Sequence, residues 1–495
     1  MENAAWQPRC ELSPGKVARV SSVLERRESA TPRRQTAGLR LLLIGGASFA
    51  VVLLGLVIYA ASHAAPYPVD PADLKVYNNG GLIIRHVSPP YSAHLRYPLY
   101  DWPKSRGVLK FTCSPFAAIF FAAISYVPWP VLTRLSPVVN LLLLVAAAWF
   151  TTGMLSDSLG GRPPVLSGEK EGRREWRTRL GGALLGAAAA LLTEPVFRTM
   201  YLGQVNLLLM ALIIGDLSQP DGRRLKGVAV GIAAGIRLVP LVFIPYLLLT
   251  GRLRGAAVAA GSFAATVVLG FVIVPGDSAD WWLHGLFLHD GRTGFVGWGG
   301  NQSLRAALTR LAGSVSDGCV EWMSVALLVA VVGLTSAVLL DRAGHAMLAI
   351  LATALVGLLD SPISWDHHWV WVMPGLMTAA YYASRARQAG RRGAALWLAA
   401  LAGALLLIFA AWPGVLWSVP VTGPGDFTNG LIWAGPNSRV TQYLLFGDNR
   451  RFLEYHWHGL QNLSGNAFVL AGVALLILLA LVAARVRYDA AVRPA

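Results

Sequence analysis

The sequence predicts an all-α polytopic membrane protein, a helical bundle of about twelve spans with re-entrant or interfacial helices on its outer side. Three observations carry this. Only 14% of the 495 residues are charged while 55% are hydrophobic, against about 25% charged in an ordinary soluble domain. Mean hydropathy is +0.52, and a water-facing surface over so much apolar material would be one continuous aggregation patch. Apolar stretches recur from end to end, punctuated by short basic linkers. A secreted disulfide scaffold, a cytosolic nucleotide-binding enzyme and a disordered tail protein are excluded.

The elements follow in chain order. Residues 1–40 are polar and hold eight Arg or Lys, among them Arg26, Arg27, Arg33, Arg34 and Arg40. They run into Leu41 to Ala61, which is too long for a removable signal peptide and reads as a first span with a cytoplasmic N-terminus. Further apolar stretches lie near 138–156, 180–193, 204–217, 227–249, 256–274, 322–340, 346–359, 369–383, 394–412 and 467–484. With the N-terminus, the linkers and the C-terminal tail all facing the cytoplasm, 27 of the 42 basic residues lie inside. That explains the net charge of +16 by topology, and no nucleic acid partner is expected.

Keeping those linkers inside has two consequences. Phe111 to Val127 must be re-entrant or interfacial, and 227–249 must be two short helices broken at Arg237-Leu-Val-Pro240, because Pro removes a donor and disfavours helix before it. The expected organisation is a basic cytoplasmic tail (1–40), a transmembrane domain (41–484) with outer loops 62–111, 275–321, 360–368 and 413–466, and a cytoplasmic tail (485–495). Long loops between spans are usually functional, so the chemistry belongs on the extracytoplasmic face of a plasma-membrane protein. No Walker-type or dinucleotide-type glycine loop argues otherwise. Cys10, Cys113 and Cys319 have no metal-like spacing, and no disulfide or metal site is expected.

The outer segments hold the candidates. In Asp70-Pro-Ala-Asp73-Leu-Lys-Val-Tyr77 an Asp at the membrane interface suits a general base, and equally a helix N-cap. Arg237 sits in an apolar run, where a charge is costly; it reads as an anion ligand or as a snorkelling side chain. His367 and His368 point in different directions on a helix, which suits a phosphate donor better than a metal site. An interfacial aromatic belt around Trp365 is the competing reading. Gln204, Asn206, Asn301 and Gln302 offer paired donors and acceptors for sugar hydroxyls, and helix capping explains them as well.

Five motifs in order now resemble glycosyltransferase family 87, the polyprenyl-phosphate-mannose-dependent α-mannosyltransferases of the GT-C superfamily. They are Asp73-Leu-Lys-Val-Tyr77, Gly203-Gln-Val-Asn206, Gly231-Ile-Ala-Ala-Gly-Ile-Arg-Leu-Val-Pro240, Asn301-Gln302-Ser303-Leu304 and Ser361-Pro-Ile-Ser-Trp-Asp-His-His-Trp369, spanning roughly 70–375. Two departures stand out: Arg237-Leu-Val-Pro240 where the family often has Lys-Leu-Thr-Pro, and Cys113-Ser-Pro-Phe116 where it often has Tyr-Pro-Pro-Phe.

The resemblance implies a GT-C helical bundle that moves mannose from polyprenyl-phosphate-mannose to a lipid-linked or glycan acceptor, inverting to an α-(1→2) linkage. Asp73 is then the catalytic base. Arg237, His367 and His368 bind the donor phosphate, and Tyr77, Gln204, Asn206, Asn301, Gln302 and Trp365 contact substrate. The phosphate is already a good leaving group, so neither cofactor nor metal is expected; the partners are donor, acceptor and membrane lipid. Rival readings are an arabinofuranosyltransferase using the corresponding lipid donor, a lipid or solute transporter, and a non-catalytic scaffold.

Overall fold

A computed structural model describes residues 38–58, 71–85, 99–100, 111–157, 169–289, 294–313, 319–411, 430–433, 457 and 459–492. Asp70, the first 37 residues and most of 413–466 lie outside them. Among the described residues the chain is helical, with only two isolated β-bridges. Among the described residues five helices are long and apolar enough to cross a membrane: α1 (Gly38–Ile58), α4 (Trp129–Asp157), α10 (Leu253–Ile273), α13 (Cys319–Arg342) and α18 (Ala467–Val492). A bent pair, α6 (Glu194–Leu202) and α7 (Asn206–Leu217), makes a sixth if counted as one broken span.

The remaining helices do not meet that test; all but Glu169–Leu191, which is 23 residues long and charged over its N-terminal half, are also shorter. These are α2 (Ala72–Ile84), α3 (Pro115–Phe121), α5 (Glu169–Leu191), α8 (Val228–Ile236), α9 (Phe243–Leu249), α11 (Pro275–Trp282), α12 (Leu304–Ala312), α14 (Ala346–Asp360), α15 (Val372–Gln388), α16 (Arg392–Ile408) and α17 (Leu460–Gly465). Several fall below the roughly 20 residues that a perpendicular crossing needs.

The centre of the bundle is α14. Every residue from Met347 to Leu359 except Leu348 is buried, and a helix apolar on all sides belongs in a core. It packs on α13, α18, α15 and two 3-10 turns, Val239–Val242 and Asp366–Trp371. The second turn carries His367 and His368 and the first follows directly on Arg237 and Leu238, so the enclosed helix backs both parts of the site.

Three breaks in regular helix deliver the other candidates. α8 stops at Ile236, and Arg237 is extended (φ −137°, ψ 141°) before the turn containing Pro240; the proline leaves no other local solution. α6 and α7 meet at 116° across Gly203, whose φ of +67° is a left-handed C-cap. A Cβ there would lie 2.6 Å from the Cβ of Leu74 on α2, so the same glycine supplies the turn and lets α2 approach. The segment 111–127 forms α3 and a 3-10 turn over Ile124–Tyr126, too short to span.

Candidate active site

α2 enters the bundle on its small residues. A Cβ on Gly81 would lie 2.5 Å from the carbonyl oxygen of Phe121, so α2 and α3 touch backbone to backbone there. Tyr77 stacks on Phe121 at 4.4 Å and is fully enclosed. Its hydroxyl donates to Gln204 Oε1 at 2.5 Å and accepts from Arg237 Nη2 at 3.0 Å. Arg237 Nη2 also donates to Gln204 Oε1 at 3.1 Å, and Nη1 lies 2.8 Å from His368 Nε2. Residues from α2, the α6–α7 turn, the α8–α9 break and the Asp366–Trp371 turn thus meet around one guanidinium, with Arg237 and His368 131 positions apart in sequence.

Asp73 is one helical turn above Tyr77, on the same face of α2. It is half-buried in the first turn, where the helix dipole favours an anion. Pro71 occupies the N-cap and no side chain caps the helix, so capping does not account for Asp73. The carboxylate is close enough for its charge to act on Tyr77, Cys113 and Arg237.

The cluster holds unspent hydrogen-bonding capacity. Arg237 Nε is buried without a partner among the described residues. The His368 ring is over-supplied with donors, because Trp365 N–H approaches Nδ1 at 3.2 Å while Arg237 approaches Nε2. Burial, then the Arg237 charge, pushes this imidazole well below its ordinary pKa, so it is neutral and carries one proton and one lone pair. One ring N–H therefore faces another donor. A cavity of about 60 Å³ adjoins Arg237 and His368, walled mainly by apolar groups including Pro240, Phe243, Leu358 and Trp371.

His367 turns the other way, its ring at 89° to that of His368. Its Nδ1 lies 2.9 Å from Asp366 Oδ1, which also accepts its backbone N–H at 2.8 Å. Asp366 Oδ2 accepts from Arg198 Nε at 3.1 Å. Burial pushes the Asp366 carboxyl up, but the Arg198 charge and the His367 bonds outweigh it and hold it at about 2. The His367 carbonyl accepts from Thr199 Oγ1 at 3.0 Å and Asn206 Nδ2 at 2.8 Å. The His367 ring is therefore seated in a buried ion pair beside the Arg237 cluster, with Nε2 unpartnered among the described residues.

The remaining predicted contacts are placed differently. Asn301 donates to Val296 O at 3.0 Å and Pro362 O at 3.3 Å, and accepts from Ser364 N at 2.9 Å. Gln302 donates to Gly299 O at 2.6 Å and Gly465 O at 2.7 Å, and accepts from Phe468 N and Val469 N at the start of α18. Both side chains are fully buried and hydrogen-bonded to backbone groups. Their work is to hold the 294–303 segment against 361–366, where Asn301 and Trp365 form an antiparallel bridge. Asn206 likewise spends its amide on the His367 carbonyl. Trp365 is half-buried against Trp298, ring centres 5.3 Å apart. The residue-by-residue reading missed Arg198, which links the α6–α7 pair to the histidine turn. Its signal was a Glu194–Arg198 pair at i, i+4 between two apolar stretches. Glu194 in turn accepts from the indole of Trp433. No group of three or more His, Cys, Asp or Glu among the described residues is arranged to hold a metal ion.

A polyprenol-phosphate-mannose-dependent α-(1-2)-phosphatidylinositol mannoside mannosyltransferase of Mycobacterium tuberculosis is 31% identical over 72% of this chain and 79% of its own length. A phosphatidylinositol pentamannoside mannosyltransferase of the same species, with the same donor and linkage in its name, is 31% identical over 83% of this chain and 86% of its own. A Mycolicibacterium smegmatis phosphatidylinositol mannoside mannosyltransferase is 29% identical over 69% and 75%. No solved structure matches. The profile of glycosyltransferase family 87 matches residues 111–362, a stretch containing Gln204 and Arg237 and ending just before the histidine turn, and with relatives this similar over most of their length the chain belongs to that family and is a membrane glycosyltransferase.

Proposed function

We propose that this enzyme transfers mannose from polyprenyl-phosphate-mannose to a phosphatidylinositol mannoside or related glycolipid, forming an α-(1→2) linkage with inversion. The observation that carries the reading is the Arg237–His368–Tyr77–Gln204 cluster, with Asp73 one turn away. A phosphate oxygen placed between Arg237 and His368 accepts from both and removes the donor–donor conflict on the imidazole ring. The spare Nε–H of Arg237 takes a second oxygen, since guanidinium and phosphate match as a fork. The relatives' names supply the sugar and the acceptor class.

The reaction is then a single displacement. Asp73 accepts the proton of the acceptor hydroxyl as its oxygen attacks the anomeric carbon. The bond from that carbon to the phosphate oxygen breaks, and its electron pair leaves with polyprenyl phosphate. Charge growing on that phosphate meets Arg237 and His368, donors already oriented and shielded from water, which is where electrostatic stabilisation is most effective. Tyr77 and Gln204 hold the guanidinium in place, and His367 with Asp366 and Arg198 fixes the turn that presents His368. In topology, this reading keeps the twelve spans and the extracytoplasmic site, because that arrangement leaves most basic residues in the cytoplasm.

Donor assays test it. Purified protein in proteoliposomes is given labelled polyprenyl-phosphate-mannose or its arabinofuranose counterpart, with phosphatidylinositol mannoside as acceptor. Transfer from the mannose donor, with an α-(1→2) product, is the expected result. Transfer from the arabinose donor alone selects the rival donor, and movement of lipid between leaflets without bond cleavage makes the chain a transporter.

A further inference from the structure

A second, larger cavity of about 260 Å³ lies between α14, α15, α16 and α18. Its walls are almost wholly aliphatic and aromatic, from Leu348, Leu355 and Leu401 to Trp369 and Phe409. One end is closed by a polar pair, His345 Nδ1 and the Tyr382 hydroxyl at 2.8 Å. The other reaches the Asp366–Trp371 turn. From His345 to Leu358 on α14 the slot runs roughly 20 Å at 1.5 Å per residue, about two-thirds of a bilayer's hydrocarbon core.

Two residues, Leu358 and Trp371, line both this slot and the small cavity beside Arg237 and His368. Both side chains are thus walls shared by the two spaces. A lipid whose phosphate rests on Arg237 and His368 can therefore lead its chain past Trp371 into the slot.

We propose that this slot holds the isoprenoid chain of the donor, entering at Leu358 and Trp371 and running toward His345 and Tyr382. The inference rests on the donor reading above and extends it to the tail. Continuity with the phosphate seat is what selects the donor's chain over an acyl chain of the acceptor. Chain length thereby becomes a determinant of donor use, read by a wall that touches no reacting atom.

Gly375 on α15 lines the slot, and a Cβ built there meets no heavy atom within 4 Å. Gly375→Leu projects a side chain into this space, and Leu favours helix over Gly. Each methylene excluded from an apolar site costs about fourfold in affinity, so displacing two raises KM about fifteenfold. The expected result is that rise for a long-chain polyprenyl-phosphate-mannose with kcat unchanged, and no change for a geranyl-phosphate-mannose too short to enter. Gly375→Ala, too small to fill the slot, keeps wild-type values, and the melting temperature reports folding. Equal effects on both donors, or none on either, overturn the proposal. If wild-type protein transfers no mannose at all, the donor reading fails separately. The slot is then judged by binding of long-chain polyprenyl phosphate alone, and wild-type affinity in Gly375→Leu sinks it.

Discussion

Asp73→Asn lowers kcat for mannosyl transfer roughly a hundred- to ten-thousand-fold, the contribution expected of a positioned general base, while KM for the donor stays near the wild-type value. The amide is nearly isosteric with the carboxylate and still suits the first turn of α2, so folding is preserved. What is lost is the lone acceptor able to take a full proton from the incoming hydroxyl. Asp73 is half-buried and shares a face with Tyr77, whose hydroxyl accepts from the guanidinium on which the leaving phosphate is placed. Retained turnover in a folded Asp73→Asn protein would remove the base from this account. Glu in place of Asp, one methylene longer, recovers only part of the rate, because the carboxylate must stay aimed.

Arg237→Ala is expected to cost about a hundred- to a thousand-fold in donor kcat/KM, comparable to removing one preorganised donor to a developing anion. Acceptor KM is expected to change little. The truncation also strips a partner from Tyr77, Gln204 and His368 at once, and leaving buried polar groups unpaired adds its own penalty. Arg237→Lys separates the two effects. The charge remains, but one ammonium on a flexible stem cannot span both His368 and Tyr77 as the fork does. Recovery of about a tenth of activity marks charge as the main contribution; recovery below Ala marks geometry.

Much of this arrangement was legible in the residues themselves. The break at Arg237 and Pro240 was readable because a proline and a charge inside an apolar run each forbid the simple alternative, a continuous span. Different directions for His367 and His368 followed from helical geometry alone, and the two rings stand nearly perpendicular. For Asn301 and Gln302 the local pattern left two readings open, because an amide beside tryptophans has the same inventory of donors and acceptors whether it meets a sugar or a carbonyl. Their partners, Ser364, Gly465 and Phe468, are set by tertiary packing that no local pattern encodes. Arg198 was hidden similarly, since its partner Asp366 is 168 positions away. A composition-based reading sees apolar stretches, whereas helix ends such as those of α14 (15 residues) and α16 (17 residues) are its least legible part.

The division of labour between Asp73 and Arg237 is open to one direct measurement, the ³¹P chemical shift of polyprenyl-phosphate-mannose titrated with purified protein in the absence of acceptor. The account predicts that wild type and Asp73→Asn displace the phosphate resonance equally, and that Arg237→Ala leaves it where it stands in empty micelles. A resonance displaced equally by Arg237→Ala, or lost in Asp73→Asn, would contradict the placement of the donor phosphate on Arg237.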